Sequence, residues 1–322
     1  MTQLAPPIHS PAGTRRDFLK RSLAGAGAAV AATAGVGSSA FAAEAVERPG
    51  KPYMKLSLAG YSFSRQLARG WSQTAPPAGK MLLDDFIKYC AELDLDGCEP
   101  TGYYFPNDTD DAYLNHLKNL AFRLGLDISG TAIGNDFCQT DDANLKKEVD
   151  LTKMWIDRAA VLGAPVIRIF SGNAKRGQTE EQAFQMAVRG IEQSLEHAEK
   201  KGVFLALENH GGLTATADGM LKLIGAVKPT AWFGVNFDSG NFHSADPYAE
   251  LEKIAPYTFN AQVKVVMHRA GKREDADLGR IVKILNDAGY RGYLVLEYEE
   301  REDPKVAVPR YIGELRQLIR RA

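Results

Sequence analysis

The chain has 322 residues, 45% hydrophobic and 25% charged, with a formal net charge of −1. That length suffices for a sizeable core, and the even balance of charge excludes a protein that grips nucleic acid through a broad basic surface. The three cysteines, Cys90, Cys98 and Cys138, are an odd set without CxxC spacing. They read as neither a disulfide framework nor a zinc knuckle, and buried free thiols are the expected state.

Thr14-Arg15-Arg16-Asp17-Phe18-Leu19-Lys20 is a twin-arginine export motif, followed by a run rich in alanine and glycine. Ala40-Phe41-Ala42 fits a small-x-small cleavage site with Ala43 as the new N-terminus. The run from Ser22 to Ala42 is too mildly apolar for a good membrane span. Residues 1–42 are therefore expected to be a removed signal peptide, leaving no stable membrane anchor and a protein that is periplasmic or otherwise exported. The segment carries +3, so the remaining chain carries −4. Twin-arginine export carries folded proteins, which suits a metal loaded beforehand and weighs against phosphorylated, mostly cytoplasmic substrates.

Residues 43–53, with Pro49-Gly50-Lys51-Pro52, read as a linker, and 54–322 as one domain. Strand and helix patterns then alternate, the mark of βα units and a parallel sheet. Strands are expected at about 55–59, 97–99, 127–131, 166–170, 203–207, 233–237, 260–266 and 292–296. Helices are expected at about 82–93, 111–124, 143–162, 180–201, 218–227, 248–254, 278–288 and 305–320. Gly125, Gly163, Gly202 and Gly289 stand at helix ends. Eight strands and eight helices predict an α/β fold, a (β/α)8 TIM barrel. An open doubly wound sheet is the alternative, but Leu58-Ala59-Gly60-Tyr61-Ser62-Phe63 lacks glycine-rich phosphate-loop spacing.

Four successive strands end in oxygen-bearing side chains: Glu208, Asp238, Gln262 and Glu297. Strand alternation puts Glu208 in phase with Phe204 and Ala206, and Asp238 with Gly234 and Asn236. It likewise puts Gln262 in phase with Lys264, and Glu297 with Tyr293 and Val295. The opposite faces are apolar, as a helix-facing layer should be, so the polar set belongs inside the barrel mouth. Buried carboxylates repel one another unless a cation holds them. A hard divalent ion, Mn²⁺ first and Mg²⁺ or Co²⁺ as alternatives, suits three carboxylates and an amide oxygen. The competing arrangement is a metal-free network in which Lys264 and Arg168 pair with Glu208 or Glu99.

These motifs resemble a known family. Leu205-Ala206-Leu207-Glu208-Asn209, Asn236-Phe237-Asp238-Ser239-Gly240-Asn241, Gln262-Val263-Lys264 and Leu294-Val295-Leu296-Glu297 are similar to strand ends of the xylose-isomerase-like sugar isomerases and epimerases. Asp96-Gly97-Cys98-Glu99 and Arg168-Ile169-Phe170-Ser171-Gly172 look like that family's second and fourth strand ends. The resemblance implies metal ligands at Glu208, Asp238, Gln262 and Glu297, with the two glutamates doubling as the catalytic acid/base pair. It also shows departures: Gln262 stands where the family usually has histidine, and Asn241 where its ketose epimerases have histidine. His268 stands where those epimerases have an arginine.

The expected activity is isomerisation or epimerisation of a non-phosphorylated sugar or keto-sugar through a metal-stabilised ene-diolate. His210, Lys264, Asn241, Glu99 and Arg168 are candidate substrate-binding residues, with Glu99 and Arg168 also a candidate buried ion pair. Asn135 and Asn173 are candidate hydroxyl contacts. Tyr61, Trp71, Tyr103, Tyr104 and Phe105 are candidate stacking residues or lid packing. The alternatives are a 3-keto-glycoside lyase on the same site and a non-catalytic sugar-binding barrel. An endonuclease IV-type phosphodiesterase needs a histidine-rich site, and only His116, His197, His210, His243 and His268 follow the signal. The expected partner is a small sugar or keto-glycoside, with a homo-oligomer possible and no nucleic acid.

Overall fold

A computed structural model describes residues 45–322; the expected signal peptide lies outside the described residues. The linker is tied down before the first strand, because the Val46 N–H donates to the Pro256 carbonyl (3.0 Å) and Arg48 to that of Thr258. The elements then follow as β1 (Tyr53–Leu58), α1 (Leu83–Glu92), β2 (Gly97–Cys98), α2 (Asp111–Arg123), β3 (Asp127–Ile128), β4 (Thr131–Ala132) and α3 (Asp142–Leu162). After these come β5 (Val166–Ile169), α4 (Glu180–Lys201), β6 (Phe204–Glu208), α5 (Ala217–Ala226), β7 (Phe233–Asp238), β8 (His243–Ser244) and α6 (Pro247–Ile254). The chain closes with β9 (Thr258–Val263), β10 (Val266–Arg269), β11 (Lys272–Asp275), α7 (Leu278–Asp287), β12 (Arg291–Leu296) and α8 (Pro304–Arg321).

Seven strands form one sheet in the order β1-β12-β9-β7-β6-β5-β4, with every neighbouring pair parallel. β2 pairs with β3 in parallel, and a bridge between Ala59 and Glu99 links the ends of β1 and β2. The strand expected at 127–131 is divided into β3, which faces β2, and β4, which faces β5. Together these pairings carry the sheet round into the expected (β/α)8 barrel. Alternation does the sorting: Leu205, Leu207, Val235, Phe237, Ala261, Val263, Leu294 and Leu296 are wholly buried on one side of their strands. The other side faces the barrel interior and carries the polar groups.

The helices start and stop where the sequence supplies the chemistry. Thr179 and Gln182 cap α4 reciprocally: the Gln182 N–H donates to Thr179 Oγ1 (3.2 Å) and the Thr179 N–H to Gln182 Oε1 (2.8 Å). Gly163 and Gly202 end α3 and α4 at φ +83° and +70°, a region costly for residues with a Cβ. Among the described residues no helix is long and apolar enough to cross a membrane. Cys90, Cys98 and Cys138 are buried and free.

A second expectation also changes in the fold. The strand expected at 260–266 stops at Val263, and Lys264-Val265 leave the sheet. Beyond them β10 and β11 form an antiparallel hairpin, joined at His268 by β8 into a second small sheet. Its turn is Ala270-Gly271, with φ +49° and +76°. The usual sequence sign of such a turn is Asn-Gly or Asp-Gly, so alanine at the first position hides it.

Gly190 lies inside α4, against the buried ring of Phe137. A Cβ there would stand 2.6 Å from Phe137 Cδ1 and 2.7 Å from Cγ. Helix propensity alone favours alanine by about 1 kcal/mol, but overpacking costs about 1–3 kcal/mol. Gly190→Ala is therefore expected to lower stability in urea unfolding, and an unchanged or raised midpoint would contradict this packing.

Candidate active site at the barrel mouth

The polar interior is built in two layers. The lower is a closed ring beneath the mouth. Gln262 Nε2 donates to Glu99 Oε1 (2.6 Å), and Asn236 Nδ2 to Gln262 Oε1 (2.7 Å). Asn260 Nδ2 donates both to Asn236 Oδ1 (2.9 Å) and to Glu99 Oε2 (2.9 Å). All four side chains are buried. Burial raises the Glu99 carboxyl above its ordinary value, and the bonds from Asn260 and Gln262 oppose the shift.

The upper layer joins Glu208, Asp238, Glu297 and Glu299 to two cations. Arg168 Nε lies 2.8 Å from Glu208 Oε2. Lys264 Nζ lies 3.1 Å from Asp238 Oδ2, 3.2 Å from Glu299 Oε1 and 3.6 Å from Glu297 Oε2. Asn241 bridges the two halves: its Nδ2 donates to Glu208 Oε1 (2.8 Å) and its Oδ1 accepts from Lys264 Nζ (3.0 Å). Arg168 is held in turn by the Ile133 carbonyl (2.8 Å) and lies over the Phe170 ring, 4.0 Å from its centroid.

The backbone fixes these positions. Asn209 Nδ2 donates to the Asp238 carbonyl and its Oδ1 accepts from the Asp238 N–H, both at 2.9 Å, locking the ends of β6 and β7 together. Asp238 Oδ1 accepts from the Gly240 N–H (2.8 Å). The Glu297 N–H donates to the Val263 carbonyl (2.9 Å), which sets Glu297 beside Lys264.

Crowded, dry carboxylates are harder to ionise. Burial pushes the Glu208 carboxyl up to about 7, with Arg168 opposing and Asp238 adding. Burial also pushes Glu297 well above the carboxylate range, with Lys264 opposing and Asp238 and Glu299 adding. Burial works against the Lys264 ammonium, but Asp238, Glu297, Glu299 and Glu208 outweigh it and keep the lysine charged.

Glu208, Asp238, Glu297, Lys264, Asn241 and Arg168 thus come together at the mouth, while Gln262 and Glu99 lie in the ring below. Arg168 pairs with Glu208 and not with Glu99, whose oxygens are taken by Asn260 and Gln262. His210 is exposed at the rim, 4.3 Å from the Phe170 ring. His268 stacks on His243 in the small sheet, ring centroids 4.3 Å apart. Asn135 is spent on the backbone of Phe170, donating to its carbonyl (2.8 Å) and accepting from its N–H (3.0 Å), and Asn173 is exposed. Trp71, Tyr104 and Phe105 are core residues, whereas Tyr61 and Tyr103 are half-buried and meet edge to face at 6.1 Å. The sequence reading missed Glu299, Asn236 and Asn260. The in-phase spacing of Asn236 with Asp238 and of Asn260 with Gln262 was the available signal.

The expected metal ligands suit a hard ion in kind but do not fit one as arranged. The Lys264 ammonium stands among the carboxylates, and Gln262 is turned down to Glu99 and Asn236. Among the described residues no three His, Cys, Asp or Glu side chains are placed to hold a metal together.

A family model described as xylose isomerase-like TIM barrel matches residues 87–321. The chain belongs to this family. No curated protein matches its sequence. Among solved structures, it is similar to D-psicose 3-epimerase from Clostridium cellulolyticum H10, solved with D-tagatose, at 18% identity and TM-score 0.62, over 83% of this chain and 95% of that one. It is also similar to 3-keto-D-glucoside 4-epimerase from E. coli, at 15% identity and TM-score 0.61, over 82% and 99% of the two chains. A barrel protein of this family from Mycobacterium smegmatis, solved in complex with magnesium, is 18% identical with TM-score 0.63, over 83% and 96%. At these identities the likeness is one of fold.

Removing Arg168 leaves the buried Glu208 carboxylate without its ion pair. Breaking one side of such a pair costs about 3–5 kcal/mol. Arg168→Met is expected to show a loss of that order in urea unfolding, and a variant as stable as the parent would refute the pairing.

Proposed function

We propose that the protein is a sugar isomerase or epimerase that moves a proton on the carbon beside a carbonyl of a non-phosphorylated sugar or keto-sugar. The observation that carries this reading is the placement of Glu208 and Glu297 at one barrel mouth, each buried and each raised by that burial above the ordinary carboxylate range. Three buried carboxyl groups there, Glu208, Asp238 and Glu297, face two cations, so full ionisation would leave an excess of negative charge in a low-dielectric site. One glutamate as carboxylate and the other as acid is the arrangement that two-base proton transfer needs.

In this scheme one glutamate removes the α-proton, and charge builds on the carbonyl oxygen. Lys264 and Arg168 are the positive groups nearest that charge. Return of a proton by the second glutamate to the opposite face of the same carbon gives epimerisation, and return to the neighbouring carbon gives isomerisation. Tyr61 and Tyr103 offer aromatic edges for a sugar at the rim. The Arg15-Arg16 export motif supports a non-phosphorylated substrate met outside the cytoplasm. The sugar epimerases among the similar structures support the substrate class.

The test is exchange with solvent. Free ketoses, aldoses and 3-keto-glycosides are incubated with the protein in D₂O and followed by NMR, which also separates an epimer from an elimination product. Deuterium is expected at the α-carbon of a turned-over sugar. Glu208→Gln and Glu297→Gln are each expected to lower the exchange rate by about 10²–10⁴-fold. Near-normal turnover in either variant would end the two-base scheme.

A further inference from the structure

We propose that the Lys264 ammonium is this site's own cation, and that it takes the place a divalent metal would otherwise hold among Glu208, Asp238 and Glu297. The inference rests on the reading of the barrel mouth as the functional site.

The side chain is built into position. The Lys264 N–H donates to Ser239 Oγ (2.8 Å), and the Ser239 N–H to the Gln262 carbonyl (3.0 Å), so the backbone is clipped on both sides of Val263. Gly240 makes room for the stem: a Cβ there would stand 2.8 Å from Lys264 Cδ and 2.9 Å from the Val266 carbonyl oxygen. The lysine side chain is only 13% exposed. Its ammonium donates to Asn241 Oδ1 at 3.0 Å and makes ion-pair contacts with Asp238 Oδ2 at 3.1 Å, which has no hydrogen-bond partner, and with the exposed Glu299 Oε1 at 3.2 Å. These are ammonium distances. A small divalent ion binds oxygen at about 2.0–2.2 Å and would have to pull the same oxygens inward.

Two of the four expected ligands, Glu208 and Gln262, are also committed elsewhere. Both oxygens of Glu208 are engaged, Oε1 by Asn241 and Oε2 by Arg168. Gln262 gives its amide to Glu99, and its oxygen receives Asn236. A metal entering this site must therefore displace Lys264 and turn Gln262 out of its ring. With Lys264 removed, the carboxylates lose their counter-charge and become a better metal site.

The experiment is calorimetric titration of Mn²⁺ into the chelator-stripped full chain and into Lys264→Met, with melting temperatures measured beside it. The expected result is at least about tenfold tighter Mn²⁺ binding by Lys264→Met, with Mn²⁺ raising the melting temperature of the variant more than that of the parent. Equal affinities, weak or tight, overturn the proposal, as does tighter binding by the parent. If Lys264→Met does not fold from metal-free buffer, it is refolded with millimolar Mn²⁺, where recovery of soluble protein supports the proposal. If neither condition yields folded variant, the parent decides: saturable binding tighter than micromolar overturns the proposal, and its absence supports it. The readout is affinity and not turnover, so failure here and failure to process any sugar are separate results.

Discussion

Everything at the mouth follows from one constraint: buried carboxylates outnumber the cations beside them. Buried Glu208, Asp238 and Glu297, together with the exposed Glu299, share Arg168 and Lys264, at separations of 2.8–3.6 Å. The shortage is met in two ways. Arg168 and Lys264 stay charged against their own burial, and Glu208 and Glu297 drift toward their protonated forms. The conflict that would destabilise an ordinary core is thus what raises these two carboxyls above their ordinary range. The same conflict makes the identity of the neutralising cation the main chemical question about this barrel.

The barrel itself is the device that creates the conflict. Parallel strands put their C-terminal ends on one rim, and alternation decides which side chains point inward. Glu208 and Asp238 close β6 and β7, and Glu297 follows directly on β12. The Asn209 side chain then ties β6 to the end of β7 through two backbone bonds, so neither carboxylate can retreat from the other.

Much of this was legible in the sequence, because period-two alternation and helix-ending glycines are local signals. The runs ending at Glu208, Asp238 and Glu297 announced both the strands and the polar rim. What stayed hidden depends on contacts between distant segments. Arg168 is in phase for either Glu99 or Glu208, and only the relative stagger of β5, β6 and β9 gives it to Glu208 while Asn260 and Gln262 occupy Glu99. Glu299 lies past the end of β12, where alternation no longer says which way a side chain points. Lys264 was visible as an inward residue of the strand expected at 260–266, yet its reach to Asp238 depends on the missing Cβ of Gly240. The β10–β11 hairpin was hidden by the alanine in its turn.

The ring of Glu99, Gln262, Asn236 and Asn260 carries a consequence for how the floor of the site responds to change. Glu99, as a carboxylate, can only accept, so Gln262 and Asn260 must each turn an NH₂ toward it. Gln262 is then left with its oxygen facing Asn236, which must present its own NH₂ there and its oxygen to Asn260. Three amides that look independently rotatable are therefore set by a single choice, made by one acidic residue. The floor behaves as one unit with a single orientation, and a group arriving from above meets a surface whose polarity is already decided.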